Sequence, residues 1–261
     1  MTRALPLLLA LAPAIAAAGP FDVQPIPLVL DATRRSAALV VRNTGAAPAS
    51  LQVEAARWTQ GEDGAERYEP APELVIFPEL LRLGPGEERV LRVGLDGAPA
   101  GGGGERAYRV YLQELPVDEP GQPRVKMTFR MGVPLFVKPA REAPRRRLER
   151  VWLDEGLVHV RLENSGNVHA KVKRLRIDGL DPAGRTRFER EARGWYVLAG
   201  AAAVYSLRLD EADCREARSL SIAADLSDGT TLPPATLVLP PSGCGPAATG
   251  TSAASSAGAT P

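Results

Sequence analysis

The stretch Arg-Val-Lys-Met-Thr-Phe-Arg-Met-Gly-Val-Pro-Leu-Phe-Val, residues 124–137, decides how the chain is read. Val125, Met127, Phe129 and Met131 alternate with Lys126, Thr128 and Arg130, so an extended backbone places four apolar side chains on one face and three polar ones on the other. Period two predicts a strand. Pro134 sits inside the continuing apolar run, and a residue without an N–H is tolerated in a sheet mainly at an edge, a strand start or a bulge. The prediction is therefore an edge strand, with one side free to pair with a strand of another chain unless it is blunted.

Outward from this strand, 261 residues suffice for two ordinary domains, each with its own core. The first 18 residues stand apart. Arg3 supplies a positive charge, residues 4–17 are almost wholly apolar, and Ala16-Ala17-Ala18 offers the small residues a signal peptidase accepts. The run is short for a membrane span and is interrupted by Pro6 and Pro13, so residues 1–18 read as an export signal cleaved after Ala18 or close to it. No other long apolar stretch follows, and a membrane span is not expected after its removal. The formal net charge is +1, and loss of Arg3 makes the mature chain formally neutral, so no global field draws it to nucleic acid. Cys214 and Cys244 are the only cysteines; in an exported chain they read as one disulfide, the alternative being buried free thiols.

Prolines and glycines are abundant, aromatics few, and short alternating runs recur between turn signals, the pattern of β-sandwich domains. Strands are expected at 37–42, 49–59, 88–95 and 107–115 besides the opening stretch. Asn43-Thr44-Gly45 and Gly84-Pro85-Gly86 supply turns. The four glycines 101–104 mark a solvent loop, since no Lys-Ser/Thr pair or helical pattern follows them to make a phosphate cradle. Residues 140–147 carry prolines and charge without periodicity and read as a hinge, with Arg145-Arg146-Arg147 solvated rather than bound to an acidic partner. Domains are thus expected at 19–139 and 148–244. The second is also all-β, with strands at 157–163, 168–177, 195–198, 203–209, 219–225 and 236–239. Residues 245–261 contain only Ala, Gly, Ser, Thr and Pro and are expected to be disordered.

Catalysis finds little support. His159 lies in an alternating run and His169 follows an Asn-Ser-Gly-Asn turn, neither with metal-ligand spacing. There is no His-x-x-x-His, Gly-x-Ser-x-Gly or Cys-x-x-Cys, and carboxylates such as Glu62-Asp63 and Asp118-Glu119 cluster in loop-like segments. The reading is a non-enzymatic chain without metal or cofactor.

A series of landmarks then falls in order: Pro25-Ile26, Arg42-Asn43-Thr44-Gly45, Trp58-Thr59-Gln60, Phe77-Pro78, Leu83-Gly84-Pro85-Gly86, Val90-Leu91-Arg92-Val93, residues 108–116 (Tyr-Arg-Val-Tyr-Leu-Gln-Glu-Leu-Pro), and Val133-Pro134-Leu135-Phe136-Val137-Lys138-Pro139. This order resembles the periplasmic pilus-assembly chaperones of the chaperone-usher pathway, a system known for donor-strand complementation. Asn164-Ser165-Gly166-Asn167 and residues 196–200 extend the likeness more loosely. The resemblance implies two immunoglobulin-like β-sandwiches set as a boomerang, periplasmic, holding incomplete pilin subunits and delivering them to an outer-membrane usher. The lending strand of the family matches residues 124–131 here, which gives Val125, Met127, Phe129 and Met131 the role of plugs in the pilin core. The other reading of these four is that they pack the chain's own core.

One departure stands out. The family anchors the pilin C-terminal carboxylate with two basic side chains, and the matching positions are Pro27 and Pro134, which cannot hydrogen-bond a carboxylate. This points to the archaic or alternative branch, which Trp58-Thr59-Gln60 also resembles, with Arg92, Arg109 and Arg130 as candidate substitute anchors. The resemblance also implies an interdomain ion network, matched by Glu105, Lys138 and Asp225. A rival class is an extracellular β-sandwich that binds carbohydrate or acts as an adhesin. That class needs an exposed aromatic platform, for which Trp152, Trp195 and Tyr196 are the available residues.

Overall fold

A computed structural model of the chain describes residues 20–61, 63–97, 103–116 and 128–240. The expected export signal and disordered tail, with Val125, Met127 and Cys244, lie outside the described residues. What is described forms four sheets, packed as two successive immunoglobulin-like sandwiches.

The first strand changes sheets. β1 (Phe21–Gln24) pairs antiparallel with β3 (Ser36–Asn43), and after Pro25-Ile26-Pro27 the chain re-enters as β2 (Leu28–Leu30) in the opposite sheet. Two prolines remove two N–H donors, so neither ladder can run through the crossing. One sheet then follows the order β1-β3-β8-β6, with β6 at Leu74–Phe77 and β8 at Glu88–Leu95. Its mate has the order β2-β10-β9-β4-β5, with β4 at Ala49–Gln60, β5 at Glu66–Pro70, β9 at Arg106–Glu114 and β10 at Arg130–Val137; β7 (Leu80–Leu83) also pairs with β4. Alternate residues from both sheets meet inside: Leu39, Val41, Leu91 and Val93 pack with Leu51, Val53, Leu112 and Leu135, all nearly inaccessible to water.

The second sandwich sets β11 (Arg146–Asp154), β12 (Leu157–Asn164) and β16 (Ala202–Arg208) against a sheet ordered β14-β13-β17-β18. Here β13 spans Ala170–Leu180, β14 Thr186–Arg193, β17 Ser219–Leu226 and β18 Thr231–Val238, while the short β15 (Tyr196–Val197) pairs with β13. One helix, α1 (Glu211–Glu216), is capped by Asp210, whose carboxylate accepts the Asp213 N–H at 2.8 Å. Cys214 is buried on this helix among the second core.

The expected strands appear, several with shifted ends. β18 begins earlier than residue 236 because Pro233 and Pro234 are accommodated at a register shift on an edge strand. Arg146 and Arg147 are the first residues of β11 rather than loop. The edge strand β14 has no fully buried position, so its apolar signal is too weak to read from sequence.

Candidate functional site: the β10 edge and the seam between the sandwiches

β10 is paired unevenly. Along its whole length it runs antiparallel to β9, from Arg130 opposite Gln113 to Val137 opposite Arg106. On its other side β2 pairs in parallel only with Leu135, Phe136 and Val137. Among the described residues, Arg130, Met131, Gly132, Val133 and Pro134 thus have β9 as their one strand partner. Ladder contacts to β9 continue before β10 begins: the Glu114 N–H donates to the Phe129 carbonyl at 2.8 Å, and the Glu114 carboxylate accepts the Phe129 N–H at 3.1 Å.

Phe129 and Met131 are half-buried and rest against the first core, the Phe129 ring 5.6 Å from that of Phe21. The predicted side of alternation is therefore the one these two residues use, but here they turn toward their own sandwich. Val125 and Met127 fall outside the described residues. Gly132 matters locally because a Cβ there would lie 3.0 Å from the Tyr111 ring; its absence lets that ring cross the strand, where Arg130 stacks over it at 4.2 Å.

The three candidate arginines are not brought together. Arg92 projects from β8, opposite Ala38 and Phe77, in the sheet that does not contain β10. Arg130 marks the exposed start of β10. Arg109 is only 5% exposed, with its guanidinium carbon 3.8 Å from the centroid of Trp58 and 5.3 Å from that of Trp195, and its Nη1 approaches the Gly132 carbonyl at 3.4 Å. Arg109 is thus boxed by aromatic rings rather than presented to solvent. Pro27 lines an interdomain cleft of about 350 Å³ that also contains Lys138, His169, Lys171 and Asp228, and Pro134 is buried opposite Arg109.

The seam itself is apolar at its centre and polar around it. Trp58, Ala107 and Phe136 occupy one row across β4, β9 and β10, and all three join the core of the second sandwich rather than that of the first. Phe136 stacks on His169 at 3.8 Å and lies 5.5 Å from Tyr196, while Trp58 meets Tyr196 edge-on at 5.6 Å. Gln60 ties the strand end to the second sandwich in both directions: its Nε2 donates to the Tyr196 carbonyl at 3.0 Å and its Oε1 accepts the Leu198 N–H at 2.8 Å. The Trp195 indole donates to Glu66 at 2.9 Å.

Glu105, Lys138 and Asp225, the expected ion network, do not pair with one another; each has another partner. Glu105, 2% exposed at its side chain, accepts from the backbone N–H of His169 at 2.8 Å and from its Nδ1 at 2.7 Å. Lys138 pairs with Glu142 at 2.6 Å, four residues on in the same connecting segment. Asp225 pairs with Arg174 at 2.6 Å, on β13 beside it, and so stays within the second sandwich. The hydrogen bond from Arg174 holds the Asp225 carboxyl below its ordinary range. Asn167 completes the seam, donating to the carbonyls of Gly103 and Arg141 at 2.8 and 2.9 Å. His169 was legible only as a turn residue because its partner lies 64 positions earlier.

Near the seam, Arg57 and Tyr108 both hydrogen-bond the Glu73 carboxylate, at 2.7 and 2.8 Å. Burial pushes the Glu73 carboxyl up, but the hydrogen bond from Arg57, with those from its own backbone and Tyr108, leaves it below the ordinary range. Burial, then Glu73, pushes the Tyr108 hydroxyl up to about 12.

Residues 21–142 match the family described as pili and flagellar-assembly chaperone, PapD N-terminal domain. Among solved structures, one chain of the chaperone–tip adhesion subunit pre-assembly complex from archaic chaperone-usher Csu pili of Acinetobacter baumannii is 21% identical with a TM-score of 0.55, covering 84% of this chain and 97% of that one. The CupB2 chaperone of Pseudomonas aeruginosa is 17% identical with a TM-score of 0.51, over 84% of this chain and 100% of that one. The YadV chaperone reaches a TM-score of 0.56 at 12% identity, over 85% and 100%. Comparison with curated proteins gives no match. These structures share the two-sandwich fold, and the first sandwich, residues 21–142, matches the family of pili and flagellar-assembly chaperones.

Proposed function

We propose that this protein is a periplasmic, non-enzymatic chaperone of the archaic chaperone-usher type, which stabilises pilus or fimbrial subunits by donor-strand complementation and delivers them to an outer-membrane usher. The observation that carries the reading is the one-sided pairing of β10 between Arg130 and Pro134, in a chain whose first sandwich is of the chaperone family. A free ladder edge can complete a subunit that lacks a strand, giving backbone hydrogen bonds along one side and apolar plugs into the open core. Val125, Met127, Phe129 and Met131 supply the plugs. Each side chain that exchanges water for the subunit core contributes roughly 1.5–3 kcal/mol, before the cost of ordering.

Phe129 and Met131 rest on the first core in the free protein, which supports a strand that shields its apolar side until cargo arrives. Co-expression of a Met127→Asp, Phe129→Asp variant with the cognate subunit should abolish recovery of the complex while the variant remains soluble and folded by circular dichroism. Undiminished recovery from a folded variant would sink the donor-strand reading.

Export also bears on the cysteines. We propose a Cys214–Cys244 bridge that ties the end of β18 to α1, since an oxidising compartment favours it and Cys214 is not a free thiol. Intact mass under non-reducing conditions should show two hydrogens fewer than the reduced chain. Two alkylatable thiols in the purified exported protein would refute the bridge.

A further inference from the structure

A second interdomain pocket, of about 520 Å³, opens where the ends of β4 and β9 meet the turn after β15. Its walls include Trp58, Gln60, Glu105, Arg106 and Leu198. Six buried side-chain polar atoms among the described residues have no hydrogen-bond partner, and three of them belong to this wall: Trp58 Nε1, Glu105 Oε1 and Arg106 Nη2. Trp58 is 1% exposed and the Glu105 side chain 2%, so neither atom is served by open solvent. A buried polar group without a partner costs about 1–3 kcal/mol, and three in one pocket call for a common occupant.

We infer that this pocket binds a neutral amide group. The donor set selects the class. Trp58 Nε1 and Arg106 Nη2 each offer an N–H, and Glu105 Oε1 offers a lone pair. An amide carbonyl accepts from the first two and its N–H donates to the third, which satisfies all three atoms with one functional group. A carboxylate would accept from Trp58 and Arg106 but would set its charge against the free oxygen of Glu105. An ammonium would do the reverse and face the Arg106 guanidinium. Of the two guanidiniums in the wall, Arg57 is paired with Glu73 at 2.7 Å, which leaves Arg106 set against Glu105, so the neutral group is the one that leaves no charge uncompensated. The volume is that of a small-molecule pocket and far above the ~30 Å³ that one water occupies. Gln60, also in the wall, is already engaged with Tyr196 and Leu198 and holds the two sandwiches in place around the site.

The test follows the three tryptophan indole N–H signals in a ¹H–¹⁵N spectrum of the full exported chain, with the Trp58 signal assigned by its loss in Trp58→Phe. N-acetylglycinamide should shift the Trp58 signal saturably and leave that of Trp152 in place, whereas acetate should not shift it. Arg106→Met should weaken binding by about tenfold or more, the loss of one charge-assisted hydrogen bond, with the Trp152 signal unmoved as the check on folding. A Trp58 signal that stays fixed to the solubility limit of the amide means a pocket filled by water alone and overturns the inference. So does an equal response to acetate, a comparison that needs no variant. A blocked hexaglycine amide distinguishes the source of the group: tighter binding than N-acetylglycinamide assigns the pocket to a peptide segment, and equal or weaker binding to a free small amide.

Discussion

Asn43 and Asn164 perform the same task in the two sandwiches, and both are almost wholly buried. Asn43 donates through Nδ2 to the carbonyls of Ala47 and Leu83 at 2.8 and 3.1 Å, and its Oδ1 accepts the Gly45 N–H at 2.9 Å. Asn164 donates to Val168, Val197 and Leu198 at 2.8, 3.0 and 3.0 Å and accepts from Gly166 at 3.2 Å. Each side chain therefore acts as a piece of backbone, closing a turn and pinning a distant strand to it. The residue after next is glycine in both cases. At Gly166 the reason is steric, since a Cβ would lie 2.4 Å from the Arg145 nitrogen and 2.7 Å from the Ala143 carbonyl oxygen. Asn164→Ala strands buried carbonyls on two segments and is expected to destabilise the protein by about 2–4 kcal/mol in urea unfolding. Asn164→Asp should do no better, because a carboxylate has no N–H to donate to those three carbonyls. A loss below about 0.5 kcal/mol for the alanine variant would show that water replaces the amide at no cost.

At the scale of elements, legibility followed burial. The period-two runs that became β3, β4 and β8 carry one face into a core, and that burial is what writes the alternation into the sequence. Edge strands lack it: β5 and β14 are polar on both faces or nearly so, and neither was readable. β10 shows both regimes in one strand. Its C-terminal half is buried on both faces from Val133 to Val137, because one face fills the first core while Phe136 fills the seam. Its N-terminal half keeps the alternation, and Pro134 marks the changeover close to where β2 begins to pair, at Leu135. The proline was thus a sound sign of an edge, and the edge is confined to the residues before it. Side-chain roles were less legible than strands. Arg109 looks in sequence like any solvent-facing strand charge, yet it is buried against Trp58; nothing local records that Trp195 and Tyr196 close over it from 86 and 87 positions away. The resemblance placed Glu105 in a network with Lys138 and Asp225, each of which has another partner, and gave no sign of His169, with which Glu105 pairs.

For the whole molecule, the decisive fact is that the core of the second sandwich is not built from the second sandwich alone. Trp58, Ala107 and Phe136 are covalently part of the first but pack in the hydrophobic cluster of the second, with Tyr196, Val197 and Leu198. The proposed presentation of a bound subunit in one orientation requires a fixed angle between the sandwiches, and an apolar seam resists bending more than surface ion pairs would. Polar ties at Gln60, Asn167 and Glu105–His169 surround that seam and fix its register. Phe136 is the residue shared most widely, lying against Trp58, His169 and Tyr196 while sitting in the strand that carries the proposed cargo edge. Its removal opens a cavity at the seam and is expected to cost about 3–5 kcal/mol. Because that energy couples the halves, the native protein should unfold in a single calorimetric transition and Phe136→Ala in two, the earlier one belonging to one sandwich alone. Ile222→Ala is the control: Ile222 is equally buried but lies inside the second sandwich on β17, so its loss should destabilise the second sandwich without removing any contact across the seam. Its thermogram should keep one transition at a lower temperature. A single transition in Phe136→Ala, with the calorimetric and van't Hoff enthalpies still equal, would mean that the polar ties alone join the two halves.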